Sequence, residues 1–202
     1  LCVIWKNWRM LGEGQLYDIE KDRMQENDVA AEYPEVVQRM EKAFQAYHAR
    51  GKELVQEPVR FVLGGVGSPA IEITGQDMYW TPESKGGQPF GQSAPRDLMQ
   101  AHGPYKVRIA RDGKYKFTLS RYPLYTNMSM SIGGRKFKQD HIIRKVRISI
   151  AGKTREKPVT PEDTRASFVL NLRAGDADLD TALLGDGKDG IAYFVTAEYL
   201  GK

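Results

Sequence analysis

Tyr105-Lys106-Val107-Arg108-Ile109, then Ala110, Arg111-Asp112-Gly113, and Lys114-Tyr115-Lys116-Phe117-Thr118-Leu119 decide the fold. Apolar and charged residues alternate with a period of two on both sides of Asp112-Gly113. Successive side chains of a strand point to opposite faces, so this pattern gives one wet face and one dry face. Asp-Gly tolerates the positive φ values of a tight hairpin turn. The stretch therefore predicts two neighbouring strands joined as a β-hairpin, with Tyr105, Val107, Ile109, Tyr115, Phe117 and Leu119 in the core.

Working outward, the same period recurs. Val146, Ile148 and Ile150 form one alternating run, Phe168, Leu170 and Leu172 a second, and residues 191–199 a third. Shorter strands are expected at 71–73, 78–80 and 128–132. Many short strands separated by turn residues, with no helix between them, predict an antiparallel β-sandwich or jelly-roll-like domain over 70–202.

The amino-terminal quarter has a different period. Residues 1–11 read as a strand, Gly12-Glu13-Gly14 as a turn, and Gln15–Ile19 as a returning strand. A helix follows, with Pro34 in its first turn and Gly51 as its carboxy-terminal cap. Val36, Val37, Met40, Phe44 and Tyr47 fall on one helical face. A two-stranded unit is marginal on its own, so this face is expected to pack on a body outside the chain. Residues 1–55 thus read as a short α/β tail, and 56–69, rich in Gly with Ser68-Pro69, as a linker. The expected class is mostly β.

The composition excludes several classes. Across 202 residues, 41% are apolar and 28% charged, the balance of a globular chain and not of a disordered one. No run approaches the roughly 20 apolar residues of a membrane helix. One cysteine, Cys2, excludes an internal disulfide framework, and its apolar neighbours suit a strand residue. The chain opens on Leu1-Cys2-Val3-Ile4-Trp5 with no basic leader, so it is expected to be a piece of a longer protein. The net charge of +4 is uneven: residues 135–157 carry nine basic side chains against Asp140 and Glu156. Such a stretch suits a polyanion, either a sulfated glycan or a nucleic acid. Many of these cations alternate with Ile and Val, however, as on the wet face of strands, and no nucleic-acid partner is assigned.

No catalytic motif is present: there is no GxGxxG after a strand, no P-loop, no HExxH and no GxSxG. His48, His102 and His141 share no helical spacing. Asp176, Asp178 and Asp180 alternate, as oxygen ligands for calcium can, but Thr181 stands where an EF-hand needs Gly. The more suggestive group is Trp80, Phe90, Gln92 and Arg96, in a Gly- and Pro-rich stretch. Aromatic faces cover the C–H surface of a sugar, while amides and Arg hold its hydroxyls. These four are the candidate ligand-binding residues, against the plainer reading of a loop anchored by buried aromatics.

Two segments carry a resemblance. Trp8-Arg9-Met10-Leu11, Gln15-Leu16-Tyr17-Asp18-Ile19-Glu20-Lys21-Asp22, Glu26-Asn27-Asp28-Val29-Ala30 and Tyr33-Pro34-Glu35-Val36-Val37 resemble the closing series of the type I, formylglycine-dependent sulfatase domain, over about residues 3–50. Arg23-Met24 stand where Asp-Pro is usual, and Tyr33 where His is usual. Pro89-Phe90-Gly91-Gln92-Ser93, Arg96, residues 113–123 and Gly190-Ile191-Ala192-Tyr193-Phe194-Val195 are similar to a β-domain appended to some bacterial arylsulfatases. The resemblance implies a periplasmic or secreted parent that hydrolyses sulfate esters. It implies calcium and formylglycine in an amino-terminal part with no counterpart here. Cys2 is followed by Val3-Ile4-Trp5 and does not match the formylglycine motif, so no catalytic residue carries over. The expected role is a non-catalytic carboxy-terminal piece that braces the catalytic domain and helps present a sulfated carbohydrate. The alternatives are a free-standing carbohydrate-binding module and a purely structural accessory domain.

Overall fold

The computed structural model describes residues 2–12, 14–54, 57–80, 91–99, 103–133 and 141–202. Phe90, His102, Arg135, Lys136, Lys138 and Asp140 lie outside the described residues. The chain forms two compact units, Leu1–Glu57 and Pro58–Lys202.

In the first unit, β1 (Cys2–Trp5), β2 (Trp8–Leu11) and β3 (Gln15–Asp18) form an antiparallel meander, followed by α1 (Pro34–Leu54). The run expected as one strand is thus two. The chain reverses at Lys6-Asn7, where Lys6 takes φ 55°, and Trp5 pairs with Trp8. Alternation continues through such a tight turn, so the sequence pattern does not reveal it. The third strand gives the helix a partner within the chain. Met10, Leu16 and Met40 form a small core, with Trp8, Val36 and Val37 packed around it. Trp8 lies 4.7 Å from the Tyr33 ring, and the Arg39 guanidinium 4.3 Å from the Trp5 ring. Tyr47, expected on the packed face, is 75% exposed. The helix also runs through Gly51 instead of ending there. A mid-helix Gly costs about 1 kcal/mol relative to Ala, and Lys52 in the last turn complements the helix dipole.

The polar stretch 20–28 is ordered by three aspartates that accept backbone N–H groups. Asp18 accepts from Glu20, Asp22 from Glu26 and Asn27, and Asp28 from Leu16 and Ala30. Short acidic side chains close turns in this way. The hydrogen bonds also hold all three carboxyls below their ordinary pKa: a side-chain bond from Asn7 leads for Asp18, and backbone bonds lead for Asp22 and Asp28.

The second unit is a sandwich-like pair of sheets. One sheet has the order β10 (Ala166–Leu172), β7 (Gly113–Ser120), β12 (Phe194–Gly201), β5 (Ala70–Thr74). The other has the order β4 (Phe61–Leu63), β6 (Tyr105–Ile109), β11 (Gly175–Gly185), β8 (Ile143–Ile150), β9 (Lys153–Pro158). β4 pairs with β6 in parallel, so this sheet is mixed. The stretch read as a linker therefore contributes a strand. The two inner faces meet in one core of Tyr105, Val107, Ile109, Phe117, Leu119, Val146, Ile148, Phe168, Leu170, Leu179, Leu183 and Val195. Burying each large apolar side chain contributes roughly 1.5–3 kcal/mol.

The alternation around Asp112-Gly113 does form two strands, but they do not pair with each other. β6 bonds to β4 and β11, and β7 to β10 and β12. The chain turns across the sandwich as an arch. A hairpin would set both apolar faces side by side in one sheet, whereas the arch sets them facing each other across the core. Both satisfy the same period. The arch is held by Tyr115 Oη, which donates to Arg111 O at 2.7 Å. A second arch, β10 to β11, stacks on it, and Ala174 N donates to Asp112 Oδ1 at 2.7 Å.

Two expected strands are absent. Residues 78–80 follow a 3-10 turn at Gly75–Asp77, and residues 128–132 run irregularly after a second 3-10 turn at Leu124–Thr126. Besides β4, two strands went unread. β9 is exposed at every position, so it carries no apolar signal. β11 begins with the alternating aspartates, which look like a turn.

Candidate functional site

Arg121 follows the last residue of β7 and is fully buried. Its Nε donates to Pro95 O at 2.7 Å, Nη2 to Arg96 O at 3.1 Å and Nη1 to Met130 O at 2.9 Å. A guanidinium presents donors in a fixed fork. Here the fork fastens the short helix α2 (Ser93–Arg96) and the segment after Leu124–Thr126 to the end of β7.

Between these fastened pieces lies a cleft of about 490 Å³. α2 and its approach give Gln92, Pro95 and Arg96. The segment after Arg121 gives Tyr122, Tyr125, Thr126 and Met128, and Phe194 comes from the start of β12. Gln92 Oε1 accepts from Arg96 Nη2 at 3.1 Å, one helical turn apart. Tyr122 Oη donates to Ile132 O at 2.6 Å, so its hydroxyl is already engaged. Burial pushes that hydroxyl's pKa up, opposed by the Arg121 and Arg96 charges. Tyr125 is 90% exposed. Its turn is closed by Thr126 Oγ1, which donates to Pro123 O at 2.7 Å, and by Asn127 in the left-handed region at φ 49°. A smaller hollow of about 160 Å³ shares Pro95 and Phe194 with the cleft and reaches Gln76.

Of the four residues picked from sequence, the structure brings Gln92 and Arg96 together. Trp80 is 38% exposed and lies outside the cleft lining. Its neighbour Tyr79 is fixed by a backbone bond to Pro104 O at 2.8 Å, with the Lys106 ammonium 5.3 Å from its ring. Phe90 lies outside the described residues. Sequence reading missed Tyr122, Tyr125, Thr126, Met128 and Phe194. Tyr122-Pro123-Leu124-Tyr125 was the available signal, since a Pro between aromatics directly after a strand marks a turn that displays one of them.

Of the cleft's polar side chains, the Arg96 guanidinium and the Gln92 amide keep donors to spare, and these hold hydroxyls and anions. Two of the three alternating aspartates are committed elsewhere. Asp176 lies 2.6 Å from Arg108 Nε and 3.0 Å from Arg60 Nε, and Asp178 2.9 Å from Lys106 Nζ. No group of three or more His, Cys, Asp or Glu able to hold a metal occurs among the described residues. Cys2 is exposed in β1. Among the described residues, then, no side-chain group fits the calcium of the sulfatase resemblance. No helix among the described residues is long and apolar enough to cross a membrane.

No family model matches the chain, and no curated protein matches it. Among solved structures, it is similar to a ruminal GH26 endo-β-1,4-mannanase at 17% identity and a TM-score of 0.34, covering 65% of this chain and 26% of that one. The chain thus spans about a quarter of that protein's length, and a likeness at this level carries no argument about chemistry.

Proposed function

We propose that the chain is a non-catalytic carboxy-terminal piece of an arylsulfatase-like sulfuric ester hydrolase, and that its sandwich unit helps present a sulfated carbohydrate. One observation carries the binding part: the Gln92–Arg96 pair and the exposed Tyr125 ring line one cleft. An aromatic face takes the apolar side of a sugar ring, the amide takes hydroxyls, and a guanidinium takes a sulfate bidentately. The sulfatase part rests on the resemblance of residues 3–50 and implies a catalytic body that carries the calcium and formylglycine.

Calorimetric titration with matched sulfated and unsulfated oligosaccharides tests the reading. Sulfated ligand binds, and Arg96→Ala narrows its lead over the unsulfated ligand. Equal binding of both supports the second reading, a free-standing carbohydrate-binding module, which the presence of the whole cleft within one unit favours. Binding of neither leaves the sandwich as a brace. Hydrolysis of para-nitrophenyl sulfate by the chain alone would overturn the non-catalytic assignment.

A further inference from the structure

We infer that the open edge of the sandwich at β9 is a second binding surface, built for a sulfated polysaccharide and independent of the cleft, with which it shares no residue. Lys153, Arg155 and Lys157 pair with Ile150, Ile148 and Val146 of β8, so they share the sheet face that β8 buries. On β8 that face is core, while on β9 every position is exposed. β9 therefore lies beyond the cover of the opposite sheet, and its three cations project from the overhang. Spaced two residues apart, they sit about 6.6 Å from one another along the strand. At one end, Lys153 joins Arg173 and Asn171 around a hollow of about 310 Å³.

The cations on the other face of the same sheet are matched by acids: Lys145 with Glu156 at 2.8 Å, Arg144 with Asp186 at 2.8 Å and Lys106 with Asp178 at 2.9 Å. Among the described residues, no carboxylate forms an ion pair with Lys153, Arg155, Lys157 or Arg173. Arg155 donates to Thr154 O, which leaves its charge unneutralised. A row of unmatched cations running into a hollow with an amide complements a linear polyanion. The hollow has no aromatic lining on which a base could stack, and single-stranded nucleic acid is held by such stacking together with a basic groove. This favours sulfated sugar over nucleic acid. Edge cations also discourage pairing between sheet edges, and the test separates that role.

The test is fluorescence anisotropy with the full chain and three labelled probes: a heparin dodecasaccharide, its fully desulfated counterpart and dT12. The expected result is binding of heparin, weakening as salt rises, with little binding of the desulfated sugar and weaker binding of dT12. Lys153→Ala/Arg155→Ala/Lys157→Ala weakens heparin binding by about tenfold or more, while Lys42→Ala/Arg50→Ala, at exposed cations of α1, preserves it. If the triple variant does not fold, Lys157→Gln and Arg173→Gln singly give the same readout, each weakening binding by about threefold. Undiminished heparin binding in these edge variants overturns the proposal, including the case where the triple variant self-associates in sedimentation. So does equal binding of the desulfated sugar, tighter binding of dT12, or an equal loss of binding in Lys42→Ala/Arg50→Ala.

Discussion

Arg121 donates through Nε to the carbonyl oxygen of Pro95 at 2.7 Å from inside the protein, and so the end of a core strand sets the position of the cleft's α2 wall. Arg121→Met removes a fork that satisfies three carbonyl oxygens. Leaving buried acceptors unpaired costs about 1–3 kcal/mol each, so the variant unfolds at lower urea by roughly 3 kcal/mol or more. Lys at the same position restores only part, because its ammonium cannot span three acceptors at fixed angles. Urea denaturation of the three proteins side by side checks the order.

Tyr125 has the opposite profile. Its ring is almost fully exposed, so Tyr125→Ala changes stability by no more than about 0.5 kcal/mol. If the ring is a sugar platform, the same substitution weakens oligosaccharide binding by about tenfold or more. A variant that melts like the parent and binds equally well would remove Tyr125 from the site.

Asp176 and Asp180 lie on one strand with opposite pKa shifts. The Arg108 hydrogen bond holds Asp176 below its ordinary 3.8, while burial, with Asp178 adding to it, holds Asp180 above 3.8. A lowered carboxyl adds stability above its unfolded pKa, which is lost as pH falls through the folded value. A raised one adds stability below 3.8, which is lost as pH rises through the folded value. Asp176→Asn therefore destabilises at pH 7, with a difference that shrinks in acid. Asp180→Asn stabilises at pH 7, and its gain vanishes below about pH 4. Unfolding curves at pH 7 and pH 3 measure both, and equal signs at pH 7 would contradict the assignment.

Gly113 starts β7 at φ 150°, and a Cβ there would lie 2.5 Å from Gly201 O and 2.7 Å from the Tyr199 ring. Gly113→Ala costs about 2–4 kcal/mol from strain and overlap. Its midpoint in thermal unfolding drops well below that of Gly67→Ala, where a Cβ meets nothing within 4 Å.

Much of the sandwich was legible because burial imposes a period. Val146, Ile148 and Ile150, like Phe168, Leu170 and Leu172, are apolar at alternate positions because one face of each strand meets the core. β9 was not legible, since an edge strand exposed on both faces needs no apolar residue. β11 was hidden because its first aspartates face the cations of β6, a match visible only once the strands are side by side. The site was half legible. Gln92 and Arg96 stand four residues apart in a turn-rich stretch, whereas Tyr125 and Phe194 enter the cleft from positions about 30 and 100 residues away along the chain, which no local pattern records.

The sequence by itself determined that the chain is mostly β, that a helix starts at Pro34, and which alternate side chains are buried. Local sterics and the hydrophobic period act over a few residues and leave a trace at that range. Only the tertiary structure decided that Tyr105–Ile109 and Gly113–Ser120 belong to opposite sheets, that residues 1–11 fold into two strands, and that Arg121 builds the cleft. Strand pairing and buried hydrogen bonds are settled by which distant segments compete for the same partners, and the period of a strand is the same whichever partner wins.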